Sequence, residues 1–145
     1  MILIEAWKLV VLGHYAKFTG RAGRAEFWWF VLANGIVYVG SIALLFIGVA
    51  LSSTALVVLF SLVTVGYWLA MIVPTLAVAA RRLHDTNKSA WLLLLYLLSW
   101  LPLVGLVIAI VFIVFYATDG DPGPNNYGVP HPGLPDPGVR AAITR

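Results

Sequence analysis

At 145 residues, with 61% hydrophobic and 10% charged residues, the chain is of one-domain size and too apolar for a water-soluble fold; soluble domains carry about 45–50% and about 25% respectively. A net charge of +3 is too small to argue for nucleic acid, and the absence of cysteine excludes disulfides, thiol catalysis and cysteine-based metal sites. What remains is an all-α integral membrane bundle, since lipid requires every backbone N–H and C=O to be paired within the protein and no strand pattern competes with the helical one.

Residues 1–19 predict a short amphipathic helix at the membrane interface. Glu5, Lys8, Leu12 and Tyr15 form one stripe on a helical wheel, while Ile2, Leu3, Trp7, Val10 and Val11 cover most of the rest. The pattern suits a helix lying in the headgroup layer with its charges toward water, and equally one packed on the rest of the protein. Glu5 and Lys8 interrupt the apolar stretch and no basic segment precedes it, which is unlike a signal peptide.

Residues 20–117 make the transmembrane domain. Lys17, Arg21 and Arg24, closed by Glu26, precede a run from Phe27 to Ala80 without one charged residue. A single helix over that run would extend ~80 Å at about 1.5 Å per residue, far beyond a hydrocarbon core of about 30 Å. The chain must fold back, and Leu51-Ser52-Ser53-Thr54 is the best turn, giving spans over 27–50 and 54–80. Arg81, Arg82 and Lys88 return at the same end as Arg21 and Arg24, so the positive-inside rule puts both blocks and the N-terminus in the cytoplasm. Trp28, Trp29 and Trp91 flank these blocks as interface anchors.

The second apolar run, 90–117, is one tilted span or two short helices broken near 102–105, where Trp100, Pro102 and Gly105 gather. Two short helices fit better and return the tail to the cytoplasm, giving four spans instead of three. Residues 118–145, rich in Pro and Gly, predict an extended or disordered C-terminal tail.

Depth symmetry about the turn sets Glu26 level with Ala79, about one helical turn from Arg81 and Arg82, so Glu26 is expected to pair with one of those arginines and lock the hairpin. Asn34 falls near residue 71. Pro74 cannot donate to the Ala70 carbonyl, and the Asn34 amide is expected to supply the missing bond, making Asn34 and Pro74 a packing pair.

His84 and Asp85 are the residues most suggestive of acid–base chemistry. Neighbours on a helix point about 100° apart, however, and only Thr86 and Ser89 lie nearby as nucleophiles. Arg81 to Asp85 and Arg82 to Asp85 have the spacing of ordinary helix-end ion pairs. A metal needs three or more ligands, and His14 and His131 lie in the terminal segments, so no metal site is expected. Gly20-Arg21-Ala22-Gly23-Arg24 lacks the spacing of a phosphate loop and suits lipid phosphate better than nucleotide. No acidic, basic or His residue falls deep inside a predicted span, which argues against ion-coupled transport.

Three patches resemble one bacterial family, the YhaH-like inner-membrane proteins that carry domain of unknown function 805. They are Gly20-Arg21 with Arg24, Glu26, Phe27 and Trp28; Arg81-Arg82-Leu83-His84-Asp85 followed by Ser89-Ala90-Trp91; and Gly120, Gly123, Asn125, Tyr127 and Gly128. The tail departs from the family pattern at Pro124 and Asn126, where charged residues usually flank the Asn. The resemblance implies an inner-membrane helical bundle and supplies no reaction.

The expectation is therefore a small multi-pass protein of the bacterial inner membrane, without enzymatic activity or cofactor. Arg21, Arg24, Glu26, Arg81, Arg82, His84 and Asp85 would cluster at its cytoplasmic face, in contact with anionic headgroups, a protein partner or a second copy. The alternatives are a channel or transporter subunit, for which Asn34, Ser41, Ser61 and Thr64 make a sparse polar track, and an enzyme acting on lipid headgroups through His84 and Asp85.

Overall fold

The computed structural model describes residues 2–130, and these are helical without a named strand. Helix α1 (Leu3–Lys8) continues into a π-helical turn, Leu9–Gly13. A loop leads to α2 (Arg24–Ala50), which turns into α3 (Thr54–Asp85); a 3-10 helix, Ala90–Leu98, and α4 (Pro102–Ala117) complete the order.

The α2–α3 hairpin turns where the helix-breaking serines lie. Ser52 takes a left-handed φ of 50°, and the Ser53 hydroxyl accepts from the Leu56 N–H, capping one of the orphan donors of α3. Both helices are long and apolar enough to cross a membrane. In their most apolar stretches only 17% and 6% of the residues are buried, so these are not the enclosed core helices of a soluble protein.

The 3-10 helix and α4 form a second, shorter hairpin, about 18 Å and about 24 Å long from the standard rises. Its turn is Ser99–Leu101, just ahead of the Pro102–Gly105 stretch to which the composition points, with Pro102 at the start of α4 where its missing N–H costs nothing. Gly105 is required by this turn: a Cβ there would collide with the Ser99 carbonyl oxygen.

The apolar core lies at the open end of the first hairpin, around Phe27, Phe30, Val78, Leu83, Phe112 and Tyr116. Phe112 stacks on Tyr96 with ring centroids 4.5 Å apart, tying α4 to the 3-10 helix. Of the two placements open to the N-terminal segment, the fold has it packed on protein: Ala6 and Val10 are fully buried, and α1 lies along α2.

The tail differs from the loose segment that its Pro and Gly content suggests. Residues 118–130 are extended but docked across the end of α3, because their backbone carbonyls satisfy buried arginines. The reading of residues 131–145 as tail, and His131 with them, lies outside the described residues.

Candidate functional site: a buried arginine cluster

The end of α3 is buried on every side from Ala77 to Asp85, and so is its C-cap Thr86. Burying a guanidinium is costly unless its charge is paired and its N–H groups are bonded. Arg82, 0% exposed, meets that demand. Its Nε donates to the Tyr116 carbonyl at 3.0 Å, one Nη to the Thr118 carbonyl, and the other Nη to the Asp85 carboxylate. The carbonyls that α4 leaves unpaired at its C-terminus are thus held by a cation, which also suits the negative end of the helix dipole. Arg24 assists from outside, half exposed, with Nη2 2.6 Å from Asp119.

Asp85 serves two arginines. Arg21, from the loop before α2, brings its Nε to 2.8 Å from Asp85 Oδ1. Its remaining N–H groups donate to the carbonyls of Asp121 and Gly123, at 2.7 Å for Gly123. The Asp121 N–H donates back to the Asp85 carbonyl at 2.8 Å. Gly120 passes so close to the Asp85 carboxylate that any Cβ there would overlap it. Asn125 completes the strap: its amide donates to the His84 carbonyl at 2.9 Å and to Asp121 Oδ2 at 3.0 Å.

His84 lies under this strap. Its ring stacks on Tyr127 at 3.9 Å and 7°, and Nδ1 lies 3.2 Å from the Gly20 carbonyl, which assigns the proton to Nδ1. Burial lowers the His84 pKa below the ordinary 6.5, and the bond to Gly20 opposes the shift only in part. The Thr86 hydroxyl is committed to the Leu83 carbonyl. His84 and Asp85 therefore face different partners and do not meet as an acid–base pair.

Arg81 turns the other way, to α2, where its Nη1 donates to Glu26 Oε1 at 2.7 Å across the hairpin. The ordinary i,i+4 pair between Arg81 and Asp85 is absent because Glu26 competes for the guanidinium, and the second Asp85 contact comes from Arg21. His14 approaches the same carboxylate, Nδ1 to Oε1 at 3.7 Å. Burial and then the Arg81 charge lower the His14 pKa, against the smaller pull of Glu26.

Two expectations need correction. Arg21 is buried within the chain, so it cannot be the lipid-phosphate contact that its place in a basic block suggests. Asn34 does not reach Ala70: its amide donates to the Phe30 carbonyl one turn back, at 2.9 Å, and its oxygen accepts from the Tyr67 hydroxyl at 2.7 Å. The Ala70 carbonyl freed by Pro74 is satisfied instead by the Tyr15 hydroxyl at 2.6 Å. No sequence spacing brings Tyr15 to Ala70; only the packing of the N-terminal segment on the hairpin does. Trp28, Trp29 and Trp91 are exposed on the helix surfaces. Among the described residues no three His, Asp or Glu side chains gather as metal ligands.

The known proteins that this chain resembles match it over the stretch that contains this site. A family model described as protein of unknown function, DUF805, matches residues 15–129, from Tyr15 through the docked strap. Inner membrane protein YhaI of Escherichia coli K12 is 40% identical over 124 residues, covering 84% of this chain and 92% of the relative. Inner membrane protein YhaH of the same strain is 38% identical over 133 residues, covering 90% and 95%. No solved structure matches. With most of its length matched both by the family model and by these relatives, the chain belongs to the DUF805 family of inner-membrane proteins.

Proposed function

We propose that the chain is a multi-pass protein of the bacterial inner membrane that works by lipid and protein contact, not by catalysis. Its arginine cluster then serves as a structural staple at the cytoplasmic edge. The observation that carries this reading is that most of the cluster's chemistry is consumed internally. Among the described residues of the cluster, only Nε and Nη2 of Arg81 are buried without a hydrogen-bond partner. Arg21, Arg81 and Arg82 are buried on carboxylates and carbonyls, and Asp85 is claimed by two guanidiniums.

Insertion of α2 and α3 in lipid is supported by their exposed apolar surface and by the inner-membrane relatives. Arg81 and Arg82 at the end of α3 gather with Arg21 of the preceding loop and Arg24 at the start of α2, and such a gathering of basic residues favours the cytoplasmic side. Because Arg82 holds the end of α4, the second hairpin leaves and returns at that same edge. Its arms of about 18 and about 24 Å are short of a core of about 30 Å. Two full spans and a shorter re-entrant hairpin fit these lengths better than three full spans. Lys17 is exposed and Arg24 is half exposed beside Asp119, and of these Lys17 is the more available to anionic headgroups.

The headgroup-enzyme alternative loses support from the stacking of His84 under Tyr127 and the double pairing of Asp85. Transport loses support from the groove between α2 and α3, whose polar lining is limited to a few groups such as Ser41, itself bonded to the Tyr38 carbonyl. Reporter fusions after Lys88 and after Pro130 test the topology, and both are expected in the cytoplasm. A periplasmic signal from either contradicts it. The non-catalytic reading is tested by His84→Ala, which is expected to lower the amount of protein; full accumulation with loss of a headgroup-modifying activity would favour the enzyme.

A further inference from the structure

In the membrane insertion proposed above, α1 lies against α2 alongside its uncharged run, with Glu5 and Lys8 exposed on the outward face. α1 and its π-helical extension run beside α2 in the opposite direction. His14 lies by Glu26 at the foot of α2, whereas Leu3, Ile4 and Trp7 line one hollow with Ala33 and Ile36. From Phe27, where the uncharged run begins, Ala33 to Ile36 is about 9–14 Å along the helix axis. The inward face of α1 is fully buried at Ala6 and Val10, while Glu5, Lys8 and Leu12 are exposed, Leu12 to 74%.

Glu5 accepts the Ile2 N–H at 3.0 Å. Among the described residues neither Glu5 nor Lys8 has an ion-pair partner. A carboxylate facing hydrocarbon is strongly disfavoured and marks a site whose partner should be sought. Lys8 can extend its stem toward water; the shorter Glu5 side chain cannot span that depth.

We infer that α1 is the contact surface for a second copy of this chain, with Glu5 of each copy paired to Lys8 of the other. The inference rests on the membrane insertion proposed above. Copies in one bilayer share an orientation, so a two-fold axis along the membrane normal lays α1 beside α1 in parallel. Glu5 and Lys8 lie on either side of the outward stripe, less than one turn apart. Each carboxylate then faces the other copy's ammonium, as charges flanking a coiled-coil seam do, and Leu12 continues the seam. One contact removes both charges from lipid and covers an exposed Leu.

The chain has no cysteine, so Leu12→Cys provides a single reporter. Oxidised in native membranes, this variant is expected to form a disulfide-linked homodimer. Adding Glu5→Lys or Lys8→Glu sets like charges together and is expected to lower the dimer about ten-fold, a change of about 1.4 kcal/mol; the double exchange is expected to restore it. Alkaline carbonate extraction of the same membranes separates the two levels of the claim. Retained protein that gives no homodimer, equal dimer in all charge variants, or a crosslink to a different protein overturns the pairing and leaves the membrane reading standing. Protein released by carbonate overturns both.

Discussion

At the scale of single residues, the cluster places a large share of the protein's fixed charge where water does not reach. Arg82 and Asp85 are each nearly without exposure, and each has partners from more than one element. Truncating one member of such a network strands the other's charge, at a typical cost of about 3–5 kcal/mol. Arg82→Ala and Asp85→Ala are thus expected to abolish accumulation of folded protein, whereas Arg24→Ala, half exposed on Asp119, is expected to cost at most about 1 kcal/mol. Pulse-chase in membranes distinguishes them; equal half-lives for all three variants would contradict the staple. His14 and His84 add a pH dependence. Both fold with lowered pKa values, so below the ordinary 6.5 the unfolded chain binds more protons than the folded one. Stability is expected to be full above 6.5 and to fall as pH drops below it. Thermal unfolding in detergent between pH 8 and pH 5 measures this, and His84→Gln is expected to flatten the slope.

At the scale of elements, pieces of the fold are joined by polar contacts that their neighbours make necessary. Pro74 leaves the Ala70 carbonyl unpaired inside α3, and Tyr15 covers it from the N-terminal segment. Tyr15→Phe is expected to cost about 1 kcal/mol. Pro74→Ala restores the helix's own donor, so the cost of Tyr15→Phe is expected to shrink in that background; an unchanged cost in the double-mutant cycle would show that the bond is not what joins them. The strap makes a similar demand at Gly120, where Gly120→Ala is expected to expel the tail from Asp85 and expose residues 118–130 to protease.

Much of this element scale was legible in the sequence. Without a charge between Phe27 and Ala80 the chain must turn near Ser52, and equal rise along both helices brings Glu26 level with Ala79, within about one turn of Arg81. The resemblance picks out Gly120, Gly123, Asn125, Tyr127 and Gly128, but the docking of the strap was not legible, because most of its contacts to the arginines are through backbone carbonyls, which every residue has. Composition alone makes Asp121 and Gly123 look like linker. The depth of α1 was equally hidden: amphipathic periodicity reports which side of a helix is apolar, not whether that side meets lipid or α2. Depth sets residues 34 and 71 together while saying nothing of their rotation, so it misses Tyr67, which bonds Asn34 from the facing helix.

At the scale of the whole molecule, the fold is two hairpins of unequal length pinned at one edge. The outer half of the α2–α3 hairpin is bare apolar surface, and the polar network gathers the chain from Gly20 to Gly128 at the other end. The turn at Ser52 and the tip at Trp100 are then expected to differ. A cysteine at Ser52 should react with an impermeant thiol reagent from the periplasm, and one at Trp100 should be protected, since the arms beneath it are too short to cross.

The most direct test of the account is a distance between spin labels at Lys88→Cys and Asn126→Cys, measured with the protein in lipid nanodiscs. A docked strap predicts one narrow distribution well below the hydrocarbon thickness of about 30 Å. A broad distribution, or a narrow one at or beyond that thickness, would contradict it.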